Sequence, residues 1–167
     1  MLFRSLMAVV GAVVRLLKPD VVIETGVARG FTSAVILATM RENGRGHLHS
    51  IELPPPQVQQ GEFVGKAVLQ DLRDRWSLHL GPSRGILPKL LQRLAPIDIF
   101  LHDADHTYLA QRHEYRTAWP ALRAGGVLLS DDVGNPAFVE FAKEVDGRAF
   151  LVEQPGKDFP VGLLRKG

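Results

Sequence analysis

The sequence predicts a doubly wound α/β fold: a mostly parallel, seven-stranded sheet with helices on both faces, closed by an antiparallel C-terminal hairpin. Three observations predict this fold. First, short apolar runs alternate with segments of helical periodicity from residue 21 to residue 145. Second, the runs at 21–23 and 97–101 are largely apolar, as expected for parallel strands buried on both faces. Third, two strand-like segments, 148–153 and 159–164, are joined through Pro155-Gly156.

Composition indicates one soluble globular domain over residues 1–167. Hydrophobic residues make up 46% of the chain and its mean hydropathy is +0.02, so a core can form and disorder is not expected. The net charge is only +2 and the basic residues are scattered, which argues against a nucleic-acid partner. The absence of cysteine excludes disulfides and thiolate metal sites, and it is compatible with a cytoplasmic location.

Residues 1–17 predict a helix packed on the sheet, because their apolar residues recur near helical spacing. A secretory signal peptide is the alternative, since Arg4 precedes an apolar run. The helix is favoured because Arg15 closes that run and the first strand follows almost at once. The run is also too short to span a bilayer, so no membrane association is expected.

The remaining elements follow from periodicity and from breaker residues. A proline-rich loop at 54–61 is neither helix nor central strand. It could close over a ligand at the sheet edge, and a surface connector is the equal alternative. Pro120 is expected to interrupt helix 108–122 near its end. The predicted order is strand 21–24, helix 31–43, strand 47–52, helix 62–75, strand 77–80, helix 83–91, strand 97–101, helix 108–122, strand 127–130, helix 136–145 and the hairpin.

The stretch from Val21 to Thr32 carries the first functional signal. An apolar strand ends at Glu24, a turn contains Gly26 and Gly30, and a helix begins at about Phe31. Glycines let a ligand approach the backbone closely, and a helix N-terminus supplies unpaired N–H groups. An ordinary strand–helix turn is the alternative, but the Glu24 carboxylate favours a ligand site. It would repel the pyrophosphate of a dinucleotide, which disfavours a nicotinamide oxidoreductase, and would attract a cationic ligand such as S-adenosylmethionine (SAM).

Glu52 carries the second signal. It ends strand 47–52, at about the distance downstream at which an acidic residue binds ribose hydroxyls. A carboxylate there can accept hydrogen bonds from both hydroxyls of an adenosine ribose. A surface glutamate at a strand end is the alternative, but Glu24 and Glu52 together favour an adenosine-containing ligand.

Five segments stand in the order and spacing of one known family: E-T-G-V-A-R-G-F-T-S, S-I-E, G-P-S-R-G-I-L-P-K-L, D-I-F-L-H-D-A-D-H-T-Y and G-G-V-L-L-S-D-D. They resemble the motifs of class I SAM-dependent methyltransferases, and more closely the small O-methyltransferases of the catechol and caffeoyl-CoA type and related bacterial methyltransferase-domain proteins. The resemblance implies a Rossmann-like fold and methyl transfer from SAM to a hydroxyl of a small molecule. For SAM it implies the residues Glu24, Gly26, Gly30, Phe31, Thr32, Glu52, Gly81, Ser83, Arg84, Asp103 and Ala104.

Acidic residues follow the fourth and fifth predicted strands. The carboxyl ends of neighbouring parallel strands meet at one edge of a sheet. Asp103, Asp131 and Asp132 would there offer hard oxygen ligands to Mg²⁺, Ca²⁺ or Mn²⁺. Two solvated acidic loops are the alternative. The resembled family has an asparagine at the position of Asp132, so both a metal-assisted and a metal-free reaction are considered.

His106 stands where the resembled family has a lysine that acts as the base. A histidine with a pKa near neutrality suits the removal of a hydroxyl proton, so His106 and Asp103 are the candidate catalytic residues. A loop or capping histidine is the alternative for His106, and His102 and His113 are interpreted as structural. The competing function is a SAM-binding protein with weak or no catalytic activity. A homodimer is compatible with either function.

Overall fold

The computed structural model describes residues 4–54 and 63–167, so the predicted loop 54–61 lies, except for Pro54, outside the described residues. These residues form a seven-stranded sheet in which the first five strands are parallel and the last two form an antiparallel hairpin. The predicted doubly wound fold is therefore confirmed. The strands are β1 (Val21–Thr25), β2 (His47–Glu52), β3 (Trp76–Leu80), β4 (Ile97–His102), β5 (Leu122–Ser130), β6 (Gly147–Val152) and β7 (Val161–Lys166), in the spatial order β3-β2-β1-β4-β5-β7-β6.

Helices cover both faces of the sheet, as predicted. Their bounds are α1 (Arg4–Leu17), α2 (Phe31–Asn43), α3 (Ser83–Leu94), α4 (Tyr108–Ala118) and α5 (Ala137–Glu144). Side chains of α1 and α2 pack on one face, and those of α3, α4 and α5 pack on the other. The strand order reverses between β1 and β4, which opens a crevice at the carboxyl ends of these strands.

The central strand β4 is buried along its whole length because helices cover it from both sides. Ile99 and Leu101 pack in the cluster with α1 and α2, whereas Phe100 packs in the cluster with α3, α4 and α5. This alternation follows from the two-residue period of a strand. It explains why the sequence of β4 is apolar on both faces.

The predicted N-terminal helix is present as α1. Its residues Leu6, Val10 and Val14 are buried in the same cluster as Ile36 and Leu37 of α2. In the part of the chain that the structure describes, no helix combines the length and the apolar character that crossing a bilayer requires.

The predicted helix 62–75 is wrong, since residues 63–69 form turns and bends and only Gln70–Arg75 is helical, as a 3₁₀ helix. Gly65 has φ +68°, and a Cβ on it would lie 2.2 Å from the Trp76 ring, so the chain is fixed here in a conformation that an α-helix cannot use. Helix 108–122 ends earlier, at Ala118, and a 3₁₀ turn follows at Trp119–Ala121.

Candidate active site

A cavity of about 590 Å³ lies at the carboxyl edge of the parallel strands. Its volume falls within the range typical of sites for small organic ligands. The segments that follow β1, β2, β3 and β4 form its walls together with one side of α4. Among the residues predicted to bind the cofactor, those that line it are Gly26, Glu52, Gly81, Ser83, Arg84, Asp103 and Ala104.

The loop after β1 takes its shape from Gly26. This residue has φ +83°, and its amide donates a hydrogen bond to the carbonyl oxygen of Ile51 at 3.0 Å. A Cβ on Gly26 would lie 1.8 Å from the carbonyl oxygen of Asp103. Position 26 must therefore be glycine for this loop to lie against the segment that follows β4.

Glu52 fastens the same loop to the end of β2. Its Oε2 accepts hydrogen bonds from the backbone N–H groups of Val27 and Ala28, at 2.6 and 2.7 Å. Ala28 has φ +47°, which is uncommon for a residue other than glycine, so these bonds hold a strained backbone in place. Because Glu52 also lines the cavity, its carboxylate can both shape the loop and contact a ligand.

Glu24 does not line the cavity, contrary to the expectation that its carboxylate would meet the ligand. It is fully buried, and its Oε2 accepts hydrogen bonds from the hydroxyls of Ser33 and Ser50 at 2.6 and 2.7 Å. Burial raises the pKa of Glu24 to about 7, although both hydroxyls favour the ionised form. The side chain of Glu24 points from the face of β1 towards α2, and it therefore ties β1 to α2 and β2.

Three further residues predicted for the cofactor also lie outside the cavity lining: Gly30, Phe31 and Thr32. Gly30 precedes α2 with φ +83°, and a Cβ on it would lie 2.8 Å from the Cα of Gly65, so this glycine is needed for packing. The Phe31 side chain is 52% exposed. The cavity is bounded by the first part of the loop, residues 25–28, instead of by the start of α2.

The opposite wall is built from the start of α3 and from α4. Ser83 and Arg84 begin α3 directly after β3 and Gly81, and α4 contributes Ala110, His113 and Glu114. From the sequence, His113 is interpreted as structural and Glu114 is not among the predicted site residues. The signal that could have found them is their spacing, because residues i, i+3 and i+4 share one face of a helix.

Glu114 is the centre of a buried polar network behind this wall. Its Oε2 accepts a hydrogen bond from the Thr25 hydroxyl at 2.6 Å and lies 2.7 Å from Nδ1 of His102. Burial alone would favour the neutral acid, but the hydrogen bond and charge of His102, with the hydroxyls of Ser83 and Thr25, together outweigh it and lower the pKa of Glu114. A carboxylate can only accept, so Nδ1 of His102 carries the proton between them. His102 is fully buried, in line with its structural interpretation.

The carboxyl ends of β4 and β5 place Asp103 and Asp131 at one edge of the sheet. The Asp103 amide donates to the carbonyl oxygen of Thr25 at 2.8 Å, and the Asp131 amide donates to that of His102 at 2.9 Å. Each residue thus continues the hydrogen-bond pattern of its strand. Burial, together with the nearby charge of Asp131, raises the pKa of Asp103 well above its ordinary value.

Lys157, which is not among the residues predicted from the sequence, lies between the carboxylates of Asp131 and Asp132. Its Nζ is 2.7 Å from Oδ2 of Asp131 and 3.0 Å from Oδ1 of Asp132. The Gln154 side-chain amide donates to the other oxygen of Asp131 at 3.0 Å. Burial disfavours the ammonium, but the hydrogen bonds to Asp131 and Asp132 and the charges of these carboxylates together outweigh it and raise the pKa of Lys157.

The predicted metal set does not fit this arrangement. Asp131 and Asp132 use carboxylate oxygens for hydrogen bonds to a lysine ammonium. Within residues 4–54 and 63–167, no three His, Cys, Asp or Glu side chains are grouped in a way that could hold a metal ion. In this structure Asp103, Asp131 and Asp132 form an acidic cluster that a lysine balances.

His106 lies beside this cluster and does not itself line the cavity. Its ring stands edge-on to that of His102, with the ring centroids 5.7 Å apart. Nδ1 of His106 is buried and has no hydrogen-bond partner among the described residues. Burial, and then the neighbouring His102, lower the pKa of His106. Asn135 donates to the backbone oxygen of His106 at 2.9 Å and fixes this loop.

The region that forms this site corresponds to a known protein family. A family model described as methyltransferase domain matches residues 23–133, which is more than half of the chain. The chain therefore belongs to the methyltransferase-domain family, in agreement with the resemblance of its motifs. The matched range includes Gly26, Glu52 and Asp103 as well as His106.

Solved structures share the fold. A proposed O-methyltransferase of Klebsiella pneumoniae gives a TM-score of 0.78 at 19% identity, covering 98% of this chain and 80% of that one. An O-methyltransferase of Bacillus cereus in complex with S-adenosylhomocysteine (SAH) gives a TM-score of 0.75 at 17% identity. The match covers 98% of this chain and 81% of that one. TomG, an O-methyltransferase of Streptomyces achromogenes involved in tomaymycin synthesis and solved with SAM, gives a TM-score of 0.75 at 18% identity. The match covers 97% of this chain and 80% of that one. No curated protein sequence matches the chain.

Proposed function

We propose that this protein is a SAM-dependent methyltransferase that methylates a hydroxyl oxygen of a small molecule. The observation that carries the proposal is the cavity beside Gly26 and Glu52, at the strand ends of a methyltransferase domain. The B. cereus and S. achromogenes enzymes, solved with SAH and SAM, have the same fold and support both the cofactor and the oxygen acceptor.

The charges of the site favour SAM as the ligand. Asp103 is a half-buried residue at the cavity, and the pKa of its carboxyl is raised by burial and by the charges of Asp131 and Glu24. A bound cation relieves such an excess of negative potential, and SAM carries both a sulfonium and an ammonium. In our assignment Glu52 accepts from the ribose hydroxyls, the loop at Gly26 approaches the amino-acid part, and the backbone beside Ser83 contacts the adenine.

The proposed reaction uses residues of this chain for proton transfer and alignment. SAM supplies a methyl group bonded to a positively charged sulfur. His106 takes the proton of the acceptor hydroxyl, the oxygen bonds to the methyl carbon, and the electrons of the broken C–S bond stay on sulfur, which leaves SAH. Asp103, between the two ligands, positions them, and alignment supplies most of the acceleration. No step is routed through magnesium, because two of the three residues expected to hold it, Asp131 and Asp132, are hydrogen-bonded to Lys157.

Calorimetry with SAM tests the cofactor site. Replacing Glu52 by alanine removes charge-assisted hydrogen bonds, so we expect SAM affinity to fall about tenfold to a hundredfold. Glu42→Ala, an exposed glutamate of α2 that pairs with exposed Arg15, is the control and should bind SAM normally. Unchanged SAM affinity in Glu52→Ala refutes the ribose assignment, and a wild-type protein that does not bind SAM refutes the cofactor.

Transfer of labelled methyl from SAM to a panel of hydroxylated small molecules tests the reaction. Formation of methylated product and SAH in equal amounts is the expected result. SAM binding without transfer to any acceptor favours the competing function, a SAM-binding protein with weak or no activity. The homodimer and the cytoplasmic location stay predictions, and light scattering of the purified chain tests the former.

A further inference from the structure

The hairpin brings a lysine to the acidic cluster at the sheet edge. β7 runs antiparallel to β5, and Gly162 pairs with Ser130, so the turn before β7 reaches the sheet edge at which Asp131 and Asp132 lie. Lys157 in this turn is largely buried, with 11% of its side chain exposed. Gln154 anchors the turn by donating to both Asp131 and the carbonyl oxygen of Phe159, each at 3.0 Å.

This lysine takes the position in which the sequence predicts a metal ion. An ammonium group and a divalent cation cannot both lie between the same pair of carboxylates, because they would repel each other at contact distance. Both carboxylate oxygens of Asp131 accept hydrogen bonds, one from the Lys157 ammonium and one from the Gln154 side-chain amide. Asp132 is held by the same ammonium and sits in a left-handed conformation, with φ +45°.

We propose that the Lys157 ammonium is the built-in cation of the acceptor site, and that methyl transfer by this protein needs no divalent metal. This inference rests on the proposed function. An ammonium has three N–H donors; Asp131 and Asp132 use two, and the third is assigned to the acceptor oxygen.

The placement of His106 fits this assignment. His102 lies next to both Asp131 and His106. Its carbonyl oxygen accepts a hydrogen bond from the Asp131 amide, and its ring contacts the ring of His106. As the acceptor proton moves to His106, the Lys157 N–H group stabilises the negative charge that develops on the oxygen. The proton ends on His106, the methyl group on oxygen and the electron pair of the broken C–S bond on the sulfur of SAH, so no reactant besides SAM and the acceptor is needed.

Titration with Mn²⁺, followed by electron paramagnetic resonance, tests the inference without any methyl acceptor. Wild-type protein should show no stoichiometric binding. Lys157→Met keeps the length of the side chain but removes its charge, so the freed carboxylates of Asp131 and Asp132 should bind about one Mn²⁺ per chain. Adding Asp131→Asn should abolish that binding. Lys143→Met, at an exposed lysine of α5, is the matched control and should behave as wild type.

Activity with an acceptor from the hydroxyl panel gives the second measurement. Wild-type turnover should be unchanged in EDTA, and Lys157→Met should lower kcat about a hundredfold or more, with partial recovery in Lys157→Arg. Stoichiometric Mn²⁺ binding by wild type, turnover that EDTA abolishes and Mg²⁺ restores, or no gain of Mn²⁺ binding in Lys157→Met each overturns the inference. If Lys157→Met does not fold, the wild-type measurements decide. Failure of the proposed function has a different signature, because the wild-type protein would then not bind SAM.

Discussion

At the scale of single residues, His106 has the properties that a general base needs. Burial and His102 lower its pKa, so the imidazole stays neutral to a more acidic pH than an ordinary histidine. Its buried Nδ1 has no partner in the described part of the chain, and Asn135 fixes its backbone. A ring that is neutral at neutral pH can accept a proton throughout the neutral range.

Methyl transfer should therefore rise with pH along a limb whose midpoint lies below 6.5, the ordinary pKa of histidine, and be level at neutral pH. His106→Ala should lower kcat by about 10²–10⁴ and leave SAM affinity unchanged. His47→Ala, at the amino end of β2 and hence at the opposite edge of the sheet, is the control. Turnover by the double variant Asp103→Ala, His106→Ala would contradict the proposed chemistry.

Single residues also show where sequence reasoning reaches its limit. Glu24 and Glu52 both end predicted strands, and the sequence indicates a ligand role for each, although β1 extends one residue further, to Thr25. Only Glu52 lines the cavity, because the face of the strand to which a side chain points depends on register and on what covers that face. Ser33 and Ser50, which bind Glu24, come from α2 and β2, and no local signal in the sequence joins them to it.

At the scale of elements, the loop between β1 and α2 is held by contacts from three other segments. Gly26 lies against the backbone after β4, Glu52 of β2 binds the middle of the loop, and Gly30 packs on Gly65. A loop held in this way is in place before a ligand arrives, which reduces the entropy lost on binding.

Two glycine substitutions separate backbone strain from steric overlap. Gly44 has φ +72° and open space around a Cβ, so Gly44→Ala should cost about 1–2 kcal/mol of unfolding free energy and leave SAM affinity unchanged. Gly26→Ala meets the same strain and also overlaps the Asp103 backbone, so it should cost more than about 3 kcal/mol and weaken SAM binding. Urea unfolding and calorimetry measure both; equal effects of the two changes would argue against a built loop at Gly26.

Elements also explain what could be predicted about the acidic cluster. Asp103 and Asp131 follow neighbouring parallel strands, and this rule of topology places them at one edge without any knowledge of side chains. Lys157 arrives there through the antiparallel pairing of β5 with β7, which is a non-local contact. The hairpin itself is predicted from sequence, so this pairing is the step at which the lysine could have been found.

At the scale of the whole molecule, the fold is predictable because local and global signals agree. Runs such as 97–101 are apolar on both faces, and helices do cover both faces of the sheet. The helix predicted over 62–75 is wrong because the conformation of this segment depends on the packing of Gly65 against Trp76 of β3.

The stability of the whole molecule should depend on pH through groups buried inside it. The pKa of Glu24 is raised to about 7 by burial, whereas that of His49 is lowered to about 4, also by burial first. Glu24 binds its proton more tightly in the folded chain, so its contribution to stability is lost as pH rises from about 4.5 to about 7. His49 has the opposite sign, because the unfolded chain binds its proton more tightly below pH 6.5.

The contributions of Glu24 and His49 oppose each other. The decisive quantity is therefore the difference in unfolding free energy between a variant and the wild type at each pH. Glu24→Gln keeps an oxygen that can accept from Ser33 and Ser50 but has no proton to lose. Its unfolding free energy relative to wild type should increase by about 2–3 kcal/mol between pH 5 and pH 8, measured by urea unfolding at each pH. Glu42→Gln, at an exposed position, should show no such trend. A pH-independent difference for Glu24→Gln would mean that this buried carboxyl does not change its protonation on unfolding.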